Sequence, residues 1–263
     1  MAKNTKTSKA VAMKSGGSVM TSLKARIRQD AGKGVSTDQS DNLIPLVYIL
    51  QAQSPQALKK DPAYINGAEA GSIWLRGASD PIVDGEEGFL FQPCYFAKCW
   101  IEWKPNREGF VARHAERPSD AKQVKEKDEK GNERLVWKSK AGNLLVESRE
   151  HVGLVLGRGA PMGYVIPFSG SGHTVSRGWM TLMNGKVEDD TKLPSWCYIY
   201  RLKTRFRSND KGSWYLFEVL EERPIDTEEE YMRGKALHDA FASGAKQTGE
   251  YDAVDNEAET EEV

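Results

Sequence analysis

Residues 198–219 read YIYRLKTRFRSNDKGSWYLFEV and carry the strongest structural signal in the chain. Both halves alternate in the manner of half-buried strands, and the Asn-Asp-Lys-Gly sequence between them suits a tight turn. We therefore predict a β-hairpin whose loop spans Ser208 to Gly212. This hairpin makes a mostly β fold the first expectation.

The first strand of the hairpin separates two kinds of side chain. Alternation places mainly aromatic and aliphatic residues, from Tyr198 to Phe206, on one face. The other face begins at Ile199 and then carries cations, and the returning strand offers few acids before Glu218. Such an unpaired row suits a polyanion, with a solvated charged face as the alternative. The predicted phosphate contacts are Arg201, Lys203, Arg205 and Arg207.

Short β-like segments precede the hairpin from residue 72 onward. Each is apolar or alternating and is bounded by Gly, Pro, Asn or Asp. Pro93 and Pro105 indicate sheet edges, bulges or strand ends within this region. The predicted strands lie in residues 72–77, 87–104, 109–114, 134–139, 143–157 and 162–170.

Two segments have a helical pattern. In residues 173–185 apolar side chains recur at helical intervals, and the Asn-Gly pair at the end suits a C-terminal stop. A second helix over residues 227–243 can begin at a cap formed by Asp226-Thr227. The expected fold class is therefore mostly β, with one short internal helix and one C-terminal helix.

Composition divides the chain into an arm, a folded domain and a tail. Residues 1–41 are rich in Lys, Ser, Thr and Gly and are expected to form a flexible basic arm. The domain is expected over residues 42–225, with an exposed charged insertion at 115–134. A C-terminal helix at 226–244 then leads to a disordered acidic tail at 245–263.

A charge asymmetry separates the end of the chain from its body. Residues 250–263 hold seven acidic residues and no basic one, so the net charge of -1 for the whole chain becomes +6 without them. A basic body attracts phosphates, and a tethered acidic tail competes for the same surface. A purely solubilising tail is the alternative. The tail acids are Glu250, Asp252, Asp255, Glu257, Glu259, Glu261 and Glu262.

Composition disfavours several classes of protein. No apolar run approaches the roughly 18 residues of a membrane span, and the N-terminus lacks the apolar stretch of a secretory signal, so a soluble cytoplasmic protein is expected. Cys94, Cys99 and Cys197 lack the spacing of a zinc or redox site and are interpreted as reduced core thiols. We expect neither a cofactor nor a metal.

Aromatic residues are frequent near cations. Proteins that bind nucleic-acid single strands combine a cationic groove along the phosphates with rings on which bases stack. Lys104 and Arg113 are weaker candidates for phosphate contacts, since each follows aromatic residues. Ordinary core packing is the alternative for any single ring. The predicted stacking residues are Trp100, Trp103, Trp214 and Tyr215, and alternation allows only some of them to face a groove.

Three further stretches stand beside the hairpin: DNLIPLVYILQAQSP from residue 41, EGFLFQPCYFAKCWIEW from residue 87 and VIPFSGSGHTVSRGWMTLMN from residue 165. With the hairpin and the helix that leads into an acidic tail, they resemble the phage OB-fold single-stranded DNA-binding proteins, including those of the T-odd coliphages. The resemblance spans residues 42–263. The chain departs from many such proteins by ending in Glu262-Val263, without a terminal aromatic residue.

The resemblance implies a fold and a function. The fold would be an OB-type five-stranded barrel with insertions. The function would be non-catalytic, largely sequence-independent binding of single-stranded DNA during phage DNA replication or recombination. The acidic tail would contact replication or recombination proteins.

Two other classes remain open. An Asp followed at a distance by Glu-x-Lys can hold a divalent ion and activate water, and Asp84, Glu102 and Lys104 supply this pattern for a metal-dependent nuclease. Such short patterns arise readily in a chain with 29% charged residues. A recombination mediator or protein-interaction module, acting through the tail and the charged insertion, is the third class. Binding to single-stranded DNA that weakens steeply with salt distinguishes the first class from the other two.

Overall fold

The structure, a computed structural model, describes residues 23, 25–27, 29–30, 43–107, 109–127, 133–158, 162–210, 212–249 and 251. The chain separates into two compact units, residues 1–38 and 39–263. In the first unit, residues 23, 25–27 and 29 are helical and exposed. Apart from these residues and Asp30, the expected arm at 1–41 lies outside the described residues, as do all the predicted tail acids.

The second unit is mostly β, as predicted. Its strands alternate with turns through most of the described residues, and helices are few. The strands are β1 (Leu43–Ile44), β2 (Val47–Ile49), β3 (Ile73–Leu75), β4 (Ile82–Val83), β5 (Phe89–Trp103), β6 (Phe110–His114), β7 (Lys122–Lys127), β8 (Glu133–Lys138), β9 (Leu144–Leu156), β10 (Met162–Phe168), β11 (Val187–Glu188), β12 (Thr191–Lys192), β13 (Tyr198–Asn209), β14 (Gly212–Pro224) and β15 (Gln247–Thr248).

Both predicted helices are confirmed. Helix α1 spans Gly172–Asn184, with Gly185 as its C-cap. Helix α2 spans Glu228–Ala242 and begins at Thr227, whose side chain accepts a hydrogen bond from a backbone N–H of the first turn. Short 3₁₀ turns lie at Pro55–Ala57, Pro105–Arg107 and Ser195–Cys197. No helix among the described residues is long and apolar enough to cross a membrane.

The long central strand β5 organises the main sheet. It pairs antiparallel with β9 along most of its length and with β13 near its start. Since β10 pairs with β9 and β14 pairs with β13, the order is β14-β13-β5-β9-β10. Strands β5, β9 and β10 come first in the chain, and β13 returns to lie beside β5. This is the strand order of a Greek key.

The expected five-stranded barrel is not closed among the described residues. No ladder between described residues joins β10 to β14. The small sheet β2-β3-β4 lies there instead, because the segment around β2 bonds to both edges. The Val165 N–H in β10 donates to the Pro45 carbonyl at 2.9 Å. The Gln51 side chain makes hydrogen bonds of 3.0 and 2.9 Å with the backbone of Tyr215 in β14.

Two irregularities alter the long strands. In β5 the pairing with β9 shifts between Pro93 and Tyr95, at a proline that cannot donate to the ladder. The pairing of β13 with β14 shifts between Ile199 and Tyr200, whose partners Arg223 and Glu221 leave Glu222 of β14 as the extra residue. An extra residue of this kind disturbs alternation. Ile199 and Tyr200 are both fully buried, so the strand face that carries the cations is covered at its start.

The predicted hairpin is confirmed, but its loop is shorter than expected. Strand β13 continues to Asn209 and β14 starts at Gly212, so residues 210 and 211 connect them. The Asn209 Oδ1 accepts the Gly212 N–H at 3.1 Å, which closes the turn. The longer strands extend the paired part of the hairpin beyond the predicted limit.

One hydrophobic core lies on the inner face of the main sheet, against α1. Trp179 of α1 is 1% exposed, and its ring contacts Phe91 and Tyr200 from two neighbouring strands. His151 of β9 stacks on the same ring, with 4.4 Å between centroids. This aromatic cluster fixes α1 against the sheet.

A second core lies on the outer face of β5, β9 and β10. Leu154 and Val165 of the sheet are covered there by Ile44 of β1 and Leu237 of α2. The approach is close, because a Cβ at Gly163 would lie 3.2 Å from Ile44 and 3.4 Å from Leu237. The outer face of β9 and β10 is therefore filled by the chain's own segments.

The charged insertion expected at 115–134 contains regular structure. It includes β7 and the start of β8, which form an antiparallel hairpin. Residues 128–132, at the end of that hairpin, lie outside the described residues. The insertion thus enlarges the main sheet through the pairing of β8 with β9.

The ordered chain also extends past the expected start of the tail at 245. Strand β15 pairs in parallel with β1, and Tyr251 is only 7% exposed. Its ring packs in the outer core with Trp103 and Phe110. Because Tyr251 belongs to the core, the disorder expected from residue 245 does not apply to residues 245–249 and 251.

All three cysteines are free, in agreement with their interpretation as reduced thiols. Cys94 and Cys99 are fully buried in the outer core. Burial raises the pKa of the Cys94 thiol to about 12, so the thiolate needed for nucleophilic chemistry is disfavoured.

Candidate nucleic-acid interface

An open groove of about 390 Å³ lies between α1 and the β13–β14 hairpin. On the helix side Gly178 leaves space, since a Cβ there would meet nothing within 4 Å. On the hairpin side Arg205 and Arg207 line it together with one acid, Glu218. We call this feature the basic groove. Its lining residues are Thr174, Val175, Gly178, Trp179, Leu182, Arg205, Arg207, Leu216, Phe217, Glu218 and Val219.

Two of the four predicted phosphate contacts are held in ion pairs. Arg201 donates two hydrogen bonds of 3.0 Å to Glu222. Arg205 contacts Glu218 at 3.2 Å, and Lys203 lies directly opposite Glu218 in the ladder. The expectation of an unpaired row is therefore wrong for Arg201 and Arg205, because the returning strand brings acids alongside them.

Arg207 lies near the end of the hairpin and differs from the other cations. It is exposed and has no ion pair with any residue that the structure describes. Its direct partner across the ladder is the half-buried Trp214, so the two side chains share a face. Arg207 and Trp214 thus place a cation beside an aromatic ring, which is the predicted combination.

Tyr215 lies on the other face of the hairpin, opposite Phe206. The two rings meet edge to face, with 5.4 Å between centroids. Phe206 is 55% exposed, which is unusual for a phenylalanine and leaves its ring open to a ligand. We did not predict Phe206 as a stacking residue, although its position between Arg205 and Arg207 was a usable signal.

None of the four predicted stacking residues lines the basic groove itself, and Trp100 and Trp103 lie on β5, away from the hairpin. Trp103 is 1% exposed and packs edge to face against Phe110 and Tyr251. This burial leaves no ring face for a base, which corrects the stacking prediction for Trp103. Trp100 is half-buried on the opposite face of β5.

Neither Lys104 nor Arg113 lines the groove. Lys104 is exposed just after β5. Arg113 donates hydrogen bonds of 2.9 and 2.6 Å to both oxygens of Glu150, which is 1% exposed. A phosphate contact by Arg113 would leave that buried carboxylate without its charge partner, so we assign Arg113 a structural role.

Asp84 and Glu102, the acids of the nuclease hypothesis, are engaged in separate networks. The Asp84 Oδ1 accepts two backbone N–H groups of its own loop. Glu102 contacts His114 at 2.8 Å and Asn143 at 2.9 Å. Among the residues that the structure describes, no three His, Cys, Asp or Glu side chains are arranged to hold a metal ion. The geometry therefore gives the nuclease hypothesis no metal centre in that part of the chain.

A known protein family matches most of the chain. A model of the Pam3 phage gp34-like protein family matches residues 14–247, which include the basic groove and helices α1 and α2. The chain belongs to this family. The gp34-like family is named for a phage protein, and its description states no activity. No curated protein matches the chain, and no solved structure matches it.

Proposed function

We propose that this gp34-like chain binds single-stranded DNA without catalysis and without strong sequence preference, in phage DNA replication or recombination. The basic groove and the adjoining end of the hairpin are the proposed contact surface. The acidic residues beyond Tyr251 compete with DNA for this surface and dock replication or recombination proteins.

The position of the cation-rich hairpin in the strand order carries the proposal. Strands β13 and β14 are the fourth and fifth of a set that begins as a Greek key. OB-folds are five-stranded, partly open Greek-key barrels, and the loop between their fourth and fifth strands helps to bind oligonucleotides. In this chain Phe206 and Arg207 lie beside that loop. We infer an OB-type fold on this basis.

One feature moves the proposed site away from the usual OB surface. OB-folds also bind through the face of their second and third strands, which correspond to β9 and β10 here. The outer face of these strands is covered by α2 and β1. The DNA is therefore assigned to the hairpin and to the basic groove, which are open.

The chemistry of the hairpin end suits a single strand. Arg207 offers a guanidinium that can donate two parallel hydrogen bonds to a phosphate. Phe206 and Trp214 offer rings, and base stacking on such rings contributes about 1 to 3 kcal/mol per base whatever the sequence. Because the rings lie on opposite faces of the hairpin, the strand would pass around its end.

The decisive experiment removes Arg205 and Arg207 together. Each phosphate contact on a single strand contributes about 0.7 to the slope of log affinity against log salt, so the Arg205→Ala/Arg207→Ala variant should lose about 1.4 from that slope. Tryptophan fluorescence titration at several salt concentrations measures it. The control Arg233→Ala/Lys235→Ala removes the same charge from α2 and should keep the slope.

Two outcomes would overturn the proposal. An unchanged salt slope in the double variant would remove the hairpin from the binding surface. Cleavage of the single strand by the wild-type chain in the presence of magnesium would show a nuclease and contradict a non-catalytic function.

A further inference from the structure

Two cations face each other on the inner side of the long β5–β9 ladder. Lys98 and Arg149 are direct cross-strand partners. Like charges on directly opposite residues destabilise a sheet, because the two side chains are neighbours on the same face. A ligand that carries negative charge would offset this repulsion.

The Arg149 guanidinium also has an unsatisfied donor. Its Nη1 atom is buried from solvent and has no hydrogen-bond partner. Among the described residues neither Lys98 nor Arg149 forms an ion pair, although Glu147 lies on the same face two residues away. Leaving a buried charged donor unpaired costs about 1 to 3 kcal/mol or more. Both observations point to an anion at this position.

Aromatic rings flank the two cations on both sides. The Arg149 guanidinium lies 5.7 Å from the centre of the Phe96 ring. In the other direction, Trp100 and Trp137 meet edge to face, 6.2 Å apart. Both indoles are half-buried. Rings at this exposure, beside unpaired cations, match the needs of stacked bases.

A third cation completes the arrangement. The exposed Arg117 lies over the Trp137 ring at 3.7 Å and over the Trp100 ring at 5.6 Å. A guanidinium stacked on an indole keeps its in-plane N–H groups available to a phosphate. We call the surface formed by Phe96, Lys98, Trp100, Arg117, Trp137 and Arg149 the stacking platform.

We propose that the stacking platform is a second binding surface for single-stranded DNA. Lys98 and Arg149 take a backbone phosphate, and Trp100 and Trp137 stack against neighbouring bases. This inference rests on the proposed function and extends it. Five of the platform residues lie on β5, β8 and β9, and Arg117 lies in the loop between β6 and β7. None of them lines the basic groove, so only a strand long enough to reach both surfaces gains from the platform.

Strand length is therefore the variable that tests the platform. We compare oligothymidylates of about 8 and about 30 nucleotides, since one OB-fold covers roughly 4 to 16. The Lys98→Gln/Arg149→Gln variant should bind the long strand about tenfold more weakly and the short strand with nearly wild-type affinity. The control Lys122→Gln/Lys125→Gln makes the same charge change on β7 and should alter neither affinity.

A second measurement uses the unaltered chain. Photocrosslinking with a long oligonucleotide that contains 5-iododeoxyuridine should label Trp100 or Trp137, as read by mass spectrometry. Equal long-strand affinity in the variant and the wild type, or crosslinks confined to the hairpin, would overturn the platform and leave the proposed function standing. No binding of either strand by the wild type would overturn both.

Discussion

The buried carboxylate of Glu150 illustrates how single side chains hold this fold together. It accepts hydrogen bonds from Arg113, from the Tyr251 hydroxyl at 2.7 Å and from the Thr248 hydroxyl at 3.1 Å. These donors come from β6 and from residues 248 and 251, near the C-terminal limit of the described residues. Glu150 of β9 therefore links β6 to residues 248 and 251 near the C-terminus.

Loss of Arg113 should be strongly destabilising. Because Arg113→Ala leaves the Glu150 charge buried without a partner, we expect the free energy of unfolding to fall by about 3 to 5 kcal/mol. Urea unfolding followed by circular dichroism measures it. Adding Glu150→Gln should restore part of the loss, whereas Arg233→Ala, in an exposed pair on α2, should cost less than about 1 kcal/mol. Equal effects of Arg113→Ala and Arg233→Ala would contradict a structural role for Arg113.

His151 should make the stability depend on pH. Its ring is fully buried, with Nε2 2.8 Å from the Ser176 hydroxyl. Burial, with a smaller effect of the Arg149 charge, lowers its pKa to about 3, from 6.5 in an unperturbed chain. Below pH 6.5 the His151 ring therefore binds a proton in the unfolded chain but stays neutral in the folded chain. The stabilising contribution is complete above pH 6.5 and is lost as the pH falls toward 3.

Between pH 6.5 and 5 we expect His151 to reduce the free energy of unfolding by up to about 1.4 kcal/mol per pH unit. Urea unfolding at pH 7, 6 and 5 measures this slope. The His151→Gln variant keeps a polar side chain but cannot titrate, so its slope over this interval should be smaller than that of the wild type. Identical slopes would show that His151 does not control acid stability.

Among the elements, the segment 247–251 has a role that its composition does not indicate. We call it the C-terminal strap. The Gly249 N–H donates to the Ile44 carbonyl at 2.9 Å, and Tyr251 stacks on Phe110 with an angle of 15° between the rings. The strap covers β5 and β9 from outside and shields the Glu150 carboxylate from water.

Two truncations separate the strap from the acidic tail. A chain ending at Tyr251 keeps the buried ring and should unfold at the wild-type temperature. A chain ending at Gly249 loses that ring, and removal of a large buried aromatic side chain costs about 3 to 5 kcal/mol. Scanning calorimetry should show a melting temperature several degrees lower for the shorter chain. Identical melting temperatures would mean that the strap adds nothing to stability.

For the chain as a whole, the distribution of charge is the property with the clearest consequence. Residues 252–263 hold six acids and no basic residue, so a chain of net charge -1 becomes one of +5 when they are removed. An acidic segment tethered to a cationic surface competes with DNA, and salt screens this competition.

Removal of residues 252–263 should therefore tighten binding to single-stranded DNA, most at low salt. Because Tyr251 is retained, the change in affinity is not confused with a loss of stability. Fluorescence titrations at about 50 and about 300 mM salt provide the comparison, since screening shortens the reach of charges at the higher concentration. A matched chain with the six acids replaced by their amides should behave like the truncation. Unchanged affinity at low salt would contradict competition by the tail.

Local patterns anticipated most of the elements but not the side-chain partners. The 198–219 hairpin and both helices were recognisable because turn chemistry, alternation and capping act over a few residues. The ion pairs of Arg201 and Arg205 depend on which residues of β14 face which residues of β13. That register includes a bulge at Glu222 of β14, which no spacing in the sequence indicated.

The sequence determined the mostly β character, the hairpin, the two helices and the asymmetry of charge, since each follows from neighbouring residues or from composition. Tertiary structure determined which aromatic rings remain accessible. It buried Trp103 and Tyr251 in the outer core, left Phe206 exposed and brought Lys98 opposite Arg149. It also covered the outer face of β9 and β10 with segments from both ends of the fold. These contacts join residues far apart in the chain, and their energies depend on packing and burial that no local pattern records.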